Sequence, residues 1–324
     1  MTEKFDLAKI RAKVFGEFGK IEFPTKGYFI CSSARSGTNM FGYSMQAMGY
    51  GMPREGFNMI LNRKHGWGYE KSDLISYIRD MYSRQTDSKN DIFGLKIFWQ
   101  QLKFYSRECD QIAVINESLL SDFEKLHLFF PYVRFIYLRR RNKLRQAISL
   151  ARTDQDGLYL LFDDNEASRK KKAYYDSDQI SRFLILLTSQ DQLWQSFFEG
   201  NEIKPHMIWY EDLVDDYIAV MSQAVNYLDL PSMNMKKPPS KKQADNISDE
   251  WYDRFLNENK WLKDPCDPNS ILANHGYKTA WAANLSFMPT SVQWKTWFNR
   301  LLKTPGYAAA RAIKRISNIL SGRK

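Results

Sequence analysis

The stretch that decides the fold is YFICSSARSGTNMF, residues 28–41. It reads as a short apolar strand, a turn of small residues and the start of a helix with a stripe at three- and four-residue spacing. The stripe consists of Met40, Phe41, Met45 and Met48, with Ser44 among them. Unsatisfied backbone N–H groups at the start of such a helix converge with the positive end of its dipole. Because Arg35 adds a fixed positive charge, this turn is predicted to hold an anionic oxygen.

The same turn lacks the features of an ATP-type P-loop. That motif has two glycines and a lysine ahead of the hydroxyl residue, whereas residues 33–38 contain Gly37 alone and no lysine. A P-loop NTPase is therefore disfavoured. A Ser-rich strand-to-helix turn of an α/β protein, without any ligand, is the alternative interpretation.

Residues 35–38, Arg-Ser-Gly-Thr, resemble the loop with which sulfotransferases hold the 5′-phosphosulfate of 3′-phosphoadenosine 5′-phosphosulfate (PAPS). Three further stretches resemble the bacterial trehalose 2-sulfotransferase-like family and follow in the same order, at residues 51–55, 140–149 and 243–251. The resemblance implies a PAPS-dependent sulfotransferase with a P-loop-like three-layer α/β fold. The acceptor it implies is a hydroxyl of a carbohydrate or glycoconjugate, and a glycolipid is expected if the C-terminal segment lies on a membrane.

The resemblance also assigns residues to the two ends of the donor. Its 5′ end would be held by the loop residues Arg35, Ser36, Gly37, Thr38 and Asn39, and Arg35 would also act in catalysis. Arg140 and Ser149 match the pair that grips the 3′-phosphate, although a plain basic helix face is the alternative there. Lys242 takes the place of a basic residue before the segment that closes over the nucleotide, and a linker without a ligand is the alternative.

Sulfuryl transfer to a neutral hydroxyl needs a general base. The family places a glutamate just after the first glycine of residues 51–55, and this chain has Met52 in that position. Glu55 matches a second acidic position of the same loop and is the first candidate for the base. His65 is the second candidate, and a solvated loop residue is the alternative for both.

Aromatic and basic residues near these loops suit a carbohydrate site. Trp67 and Trp99 have flat faces beside polar groups and are predicted to stack on a sugar, with core packing as the alternative. His65 lies close to Trp67 in the sequence and is placed in the same site. Lys96 stands in an apolar strand, where a charge is costly unless it lines a pocket, so it is predicted to line the donor or acceptor site.

Strands and helices alternate along the chain. Strands are predicted at residues 92–98, 110–116, 135–138 and 206–210. Helices are predicted at residues 118–130, from after residue 142 to about 152, at 178–198 and at 213–228. This order predicts a mostly parallel sheet with helices on both faces. Ligands bind at the carboxyl ends of such strands, where both basic clusters lie.

The net charge of +10 is concentrated at the C-terminus. Residues 265–324 contain nine Lys/Arg and one Asp and so carry +8, which divides the chain into a catalytic domain, 1–264, and a basic extension, 265–324. No nucleic-acid partner is predicted for the nearly neutral body. Apolar residues at helical spacing in 294–320 predict a basic amphipathic helix, which either lies on an anionic membrane or docks on the catalytic domain or on a second subunit of a homodimer.

The remaining composition bounds the chemistry and the compartment. The three cysteines and four histidines show neither disulfide nor metal-ligand spacing, so no metal is predicted. No apolar run approaches the roughly 20 residues that span a bilayer, which predicts a cytoplasmic protein, or one peripheral at the inner membrane face. Two other functional classes stay open, a nucleotide kinase-like phosphotransferase and a non-catalytic polyanion- or membrane-binding protein.

Overall fold

The computed structural model describes residues 6–58, 74–156, 173–231, 246–277, 279–280 and 283. Within these ranges the strands are β1 Lys26–Ser32, β2 Thr86–Asp87, β3 Ile92–Phe98, β4 Val133–Arg139 and β5 His206–Trp209. The helices are α1 Leu7–Phe18, α2 Thr38–Ala47, α3 Leu74–Gln85, α4 Trp99–Cys109, α5 Ala113–Glu117, α6 Asp122–Phe129, α7 Lys143–Asp156, α8 Ser177–Gly200, α9 Tyr210–Asp215, α10 Tyr217–Tyr227, α11 Asn246–Glu258 and α12 Pro268–Asn274.

The strands form one sheet in the order β2-β3-β1-β4-β5. The four strands β1, β3, β4 and β5 run parallel, and the short β2 pairs antiparallel with β3 at one edge. Ser32 at the end of β1 is in register with Phe98 and Leu138 of its two neighbours. The carboxyl ends of the three central strands therefore meet at one edge of the sheet, and the predicted α/β fold class is confirmed.

Helices cover both faces because side chains alternate along each strand. Phe29 and Cys31 of β1 pack into one apolar cluster with α1, α3, α4 and α6. Tyr28 and Ile30 point the other way and pack with α2 and α10. This alternation accounts for the continuous apolar run of β1, since a strand buried on both faces needs apolar side chains in both directions.

A third apolar cluster joins α7 to α8 and α11. The stripe on α7 is buried as its spacing predicts, and its members are Leu144, Ala147, Ile148 and Ala151. They pack against Leu184 of α8 and Trp251 of α11. The helix that carries Ser149 is thus fixed against two other helices, α8 and α11.

Two boundaries differ from the sequence-based predictions. Residues 110–116 are not a strand: a turn leads into α5, and the N–H groups of Ile115 and Asn116 donate to Ile112 O. The following helix begins at Asp122 rather than near residue 118, because Ser121 and Glu124 form a reciprocal capping box. In both places a local backbone or side-chain hydrogen bond decides the structure.

The first part of the predicted C-terminal extension contacts the rest of the protein. Helix α12 buries Ile271 and Leu272, and Leu272 packs with Ile185 of α8. The amphipathic segment at 294–320 lies outside the described residues, as do His65, Trp67 and Lys242. None of the helices in the described part of the chain is long and apolar enough to cross a membrane.

Candidate active site

The turn after β1 presents a helix start to the carboxyl edge of the sheet. Arg35 and Gly37 both have positive φ, 64° and 85°, so the chain turns sharply twice within three residues. Gly37 occupies the N-cap position of α2, and no side chain hydrogen-bonds there as a cap. The first N–H groups of α2 are therefore left to an incoming acceptor.

Gly37 is required by space as well as by backbone conformation. A Cβ on this residue would lie 2.6 Å from Cδ2 of Tyr210, and alanine disfavours a left-handed φ by about 1–2 kcal/mol. We expect Gly37→Ala to lower the free energy of unfolding, as measured by urea denaturation. We also expect it to weaken anion binding, as measured by calorimetry. Gly16→Ala is the matched control, because Gly16 lies within α1 with nothing within 4 Å of its added Cβ. Unchanged stability and binding in Gly37→Ala would contradict this role.

A second basic group approaches the turn from β4 and α7. Arg35 Nε donates to Ser149 Oγ at 3.0 Å, and Arg140 Nη1 donates to Arg35 O at 3.4 Å. The Arg140 guanidinium lies over the ring of Tyr210, 4.6 Å from its centroid. Three residues that are far apart in sequence, Arg35, Arg140 and Ser149, therefore form one cluster.

Arg140 has a donor atom that the described residues do not use. Its Nε is inaccessible to solvent and has no hydrogen-bond partner among them. Burial lowers the pKa of Arg140, while Tyr210 and Glu211 oppose the shift, and a guanidinium stays charged under such conditions. A partly buried cation with an unused, inaccessible donor atom is suited to an anionic group of a ligand.

The neighbouring arginines point elsewhere. Arg141 forms two hydrogen bonds to Asp212, at 2.7 and 2.8 Å, and is largely exposed. Arg139 is buried and faces Asp191 at 3.5 Å. Of the run at residues 139–141, Arg140 is thus the residue directed at the turn.

Helix α11 flanks Ser149 from the other side. Arg145 donates to Asp249 Oδ1 at 2.6 Å, and Arg152 donates to Ser248 Oγ. Arg145 and Arg152 lie one turn before and one turn after Ser149 on α7, so both are tied to α11. These contacts dock α11 beside the cluster.

Glu55 lies in a second, partly buried group close to the start of α2. Its Oε2 accepts hydrogen bonds from Asn58 Nδ2 at 2.6 Å and from Gln101 Nε2 at 3.1 Å. Its Oε1 lies 3.8 Å from Lys96 Nζ, and the same ammonium donates to Asn39 Oδ1. Lys96 therefore connects the carboxylate to the second residue of α2.

Lys96 is almost completely buried. Burial lowers the pKa of this lysine, and the carboxylate of Glu55 opposes the shift. The predicted strand position of Lys96 and its proximity to Asn39 and Glu55 are consistent with a site-lining role. The ion pair explains how a charge is accommodated in an apolar strand.

Trp99 needs a correction. The ring is 6% exposed and packs edge-on against Trp194, with a centroid distance of 5.4 Å. A ring in this position has no free face for a sugar and packs in the core, where its indole Nε1 has no hydrogen-bond partner among the described residues. Trp99 is therefore not retained as a substrate residue.

Three buried residues next to the turn were not singled out as site residues from the sequence. Gln146 Nε2 donates to Ser33 Oγ, Ala34 O and Ser36 Oγ at 3.0, 2.6 and 2.9 Å. Lys143 and Asp191 lie behind this amide and contact each other. The signal available in the sequence is Asp191 itself, an acidic residue on the apolar stripe of α8 between Leu187 and Trp194.

The fold and the cluster define a class: an α/β protein with an uncapped helix start after its first strand and a second basic group after the adjacent strand. The chain belongs to the Stf0 sulphotransferase family, whose sequence pattern matches residues 27–258. This confirms the family resemblance drawn from the motifs, and it makes the protein a transferase of sulfuryl groups.

Two curated relatives are similar over most of their length. The trehalose 2-sulfotransferase of Mycolicibacterium smegmatis is 24% identical over 259 residues, which cover 72% of this chain and 95% of the relative. The trehalose 2-sulfotransferase of Mycobacterium tuberculosis is 21% identical over 256 residues, with 71% and 94% covered.

Solved structures of sulfotransferase domains also match. The domain from the curacin biosynthetic pathway has a TM-score of 0.38 at 16% identity, covering 80% of this chain and 100% of that domain. The domain from the Synechococcus PCC 7002 olefin synthase has a TM-score of 0.34 at 14% identity, covering 82% and 96%.

Proposed function

We propose that this sulfotransferase uses PAPS as its donor and a hydroxyl of a carbohydrate as its acceptor. The observation that carries the proposal is the convergence of Arg35, Arg140 and Ser149 on the uncapped start of α2. Such a cluster offers donors to two anionic groups of one nucleotide. The 5′-phosphosulfate would contact the backbone N–H groups of residues 36–39 and Arg35, and the 3′-phosphate would contact Arg140 and Ser149.

The residues fit a doubly anionic nucleotide on two grounds. The unused Nε of Arg140 is a buried donor that an added anion would satisfy. The absence of a Cβ at Gly37 lets the ring of Tyr210 pack against the helix start, and the same ring lies under the Arg140 guanidinium, which brings the two basic groups together. Both features favour a ligand with separate phosphate groups over an ordinary strand-to-helix turn.

The reaction moves a sulfuryl group between two oxygens. The acceptor oxygen attacks sulfur while the bond from sulfur to the 5′-phosphate oxygen breaks, and the hydroxyl proton passes to a base. Negative charge grows on the departing phosphate oxygen, where Arg35 and the N–H groups of α2 would stabilise it. The products are the sulfated acceptor and 3′-phosphoadenosine 5′-phosphate (PAP).

Glu55 is the proposed base. Its Oε2 is held by Asn58 and Gln101, so the carboxylate has a fixed orientation. Its Oε1 is then the atom available to take a proton, with Lys96 beside it to balance charge. His65 stays the second candidate, since it lies outside the described residues.

A sugar acceptor is supported by what the curated relatives are called, since both are named for trehalose. Trehalose is therefore the first acceptor to test, with glycolipids as a second class. Trp67 and His65 stay predictions for acceptor binding. A peripheral membrane contact or a homodimer through the basic extension is likewise a proposal, and each follows from the amphipathic pattern of residues 294–320.

The direct test is transfer of label. PAPS carrying labelled sulfur is incubated with the full-length protein and trehalose, or with glycan and lipid extracts, and labelled products are separated. We expect label in a carbohydrate-containing product. Phosphate transfer from labelled ATP, with no sulfuryl transfer to any acceptor, would instead favour the kinase-like alternative.

Ser149→Ala should separate the two ends of the nucleotide. Loss of a hydrogen bond to a charged group costs about 1.5–3 kcal/mol, so PAP affinity should fall by about 10- to 100-fold. Adenosine 5′-phosphosulfate lacks the 3′-phosphate, so its affinity should fall less. The remaining fall would come from the lost contact between Ser149 and Arg35. Ser222→Ala on α10 is the control, because this hydroxyl donates to Ile218 O within its own helix. Equal losses for both ligands would contradict the assignment.

A further inference from the structure

A buried carboxylate lies directly behind the turn that follows β1. Asp191 of α8 is completely inaccessible to solvent. Its Oδ1 accepts a hydrogen bond from Ser33 Oγ, and its Oδ2 faces Lys143 Nζ and Arg139 Nε. A buried ion pair is a weak source of stability, since desolvation offsets much of the attraction. Its clearer effect is to fix the groups it contacts.

Lys143 determines which way the Gln146 amide faces. An ammonium has donors only, so the amide oxygen must point towards it, and Gln146 Oε1 lies 3.2 Å from Lys143 Nζ. The NH2 group is then directed at Ser33, Ala34 and Ser36. Asp191 and Lys143 thereby set the direction of the donors that hold the turn.

The hydrogen bonds in the turn are consistent with this direction. Ser33 Oγ donates to Asp191 and accepts from Gln146, while Ser36 Oγ donates to Ser33 O at 2.8 Å and accepts from Gln146. Both hydroxyls are therefore used within the protein. The turn is left to bind an anion through its backbone N–H groups and Arg35.

Arg35 shows why the turn needs support. Its φ of 64° is in the left-handed region, which a residue with a Cβ adopts at a cost and keeps only when its surroundings hold it. The residues on both sides, Ala34 and Ser36, are the ones that Gln146 holds. A loosened Gln146 would let this backbone relax and redirect both its N–H groups and the Arg35 side chain.

We propose that Asp191 is a positioning residue for the donor site, acting through Ser33 and through the Lys143–Gln146 pair to keep residues 33–36 in the anion-binding conformation. Asp191 does not touch the donor. The inference rests on the proposed function for its choice of ligand, PAP, but the contacts that carry it belong to the protein alone.

The test compares three variants of the full-length chain. Asp191→Asn keeps the shape and removes the charge, and Gln146→Met removes the donors while leaving the Asp191–Lys143 pair. Asp110→Asn is the control, because it also deprives a buried lysine, Lys125, of its carboxylate without touching the turn, although Asp110 itself is partly exposed. PAP affinity is measured by calorimetry well below each melting temperature, and hydrogen exchange is followed in the peptide covering residues 33–38.

We expect PAP affinity to fall by about tenfold or more in Asp191→Asn and Gln146→Met, the effect of losing one hydrogen bond to a charged group, and to stay unchanged in Asp110→Asn. Exchange in the 33–38 peptide should be faster in the first two variants only. Wild-type PAP affinity in folded Asp191→Asn would overturn the inference. If the unsubstituted protein does not bind PAP, the proposed function fails, and the exchange rates alone decide whether Asp191 holds the turn.

Discussion

Replacing Arg35 with alanine is expected to remove nearly all sulfuryl transfer. The loss of a preorganised donor at a site of developing charge typically lowers turnover by about 100- to 1000-fold. PAP affinity should fall as well, by about 10- to 100-fold, because a charge-assisted hydrogen bond is lost. Both effects are expected because Arg35 lies at the meeting point of the two basic groups, bonded to Ser149 and adjacent to the start of α2.

Two further substitutions make the Arg35 result specific. Arg141→Ala removes an arginine from the same basic region, but its side chain is directed at Asp212, so activity should stay close to that of the unsubstituted protein. Arg35→Lys keeps the charge and loses the planar set of donors, and it should recover only part of the activity. Equal losses in Arg35→Ala and Arg141→Ala would show that general positive charge, rather than this cluster, binds the donor.

Glu55→Gln should lower turnover by roughly 100-fold or more while PAP affinity is retained. This is the usual scale for loss of a general base, and the amide is close in shape to the carboxylate held by Asn58 and Gln101. Turnover is measured from initial rates with saturating PAPS and an acceptor that the unsubstituted protein sulfates. PAP affinity is measured separately by calorimetry. The control is Glu258→Gln, since Glu258 is paired with Arg254 on the exposed side of α11.

A normal rate in Glu55→Gln would move the role of base elsewhere. His65 is then the first residue to substitute, followed by groups near the acceptor itself. Loss of PAP affinity in Glu55→Gln would instead indicate that Glu55 acts through Lys96 and Asn39 on the donor site.

The sequence predicted the sheet well because its signals are local. Strands buried on both faces read as short apolar runs, and β1, β3 and β4 were placed within a few residues of their bounds. The strand prediction for residues 110–116 is wrong because a short apolar run does not distinguish a strand from a turn followed by a short helix. There the decisive contacts are the backbone hydrogen bonds to Ile112.

The part of the site that is formed by one sequence motif could be predicted. The part that is formed by residues far apart in the sequence could not. The turn at residues 35–38 could be recognised from its residue types, whereas its support by Asp191 depends on contacts 158 residues apart in the chain. The acidic residue on the apolar stripe of α8 was a usable signal. The prediction that Trp99 stacks on a sugar is wrong. Its neighbours in the sequence include polar residues, but its neighbours in space are the rings of Trp194 and Phe197.

The central claim is that the cluster around Arg35 and Arg140 recognises a nucleotide with both a 5′ and a 3′ anionic group. The most direct measurement compares thermal unfolding with PAP, with AMP and with ATP plus magnesium, because it needs no acceptor. A ligand present at 100 times its dissociation constant adds about 2.7 kcal/mol to stability. We predict a clear rise in melting temperature with PAP and much smaller shifts with AMP and ATP. Equal shifts for ATP and PAP would contradict the account.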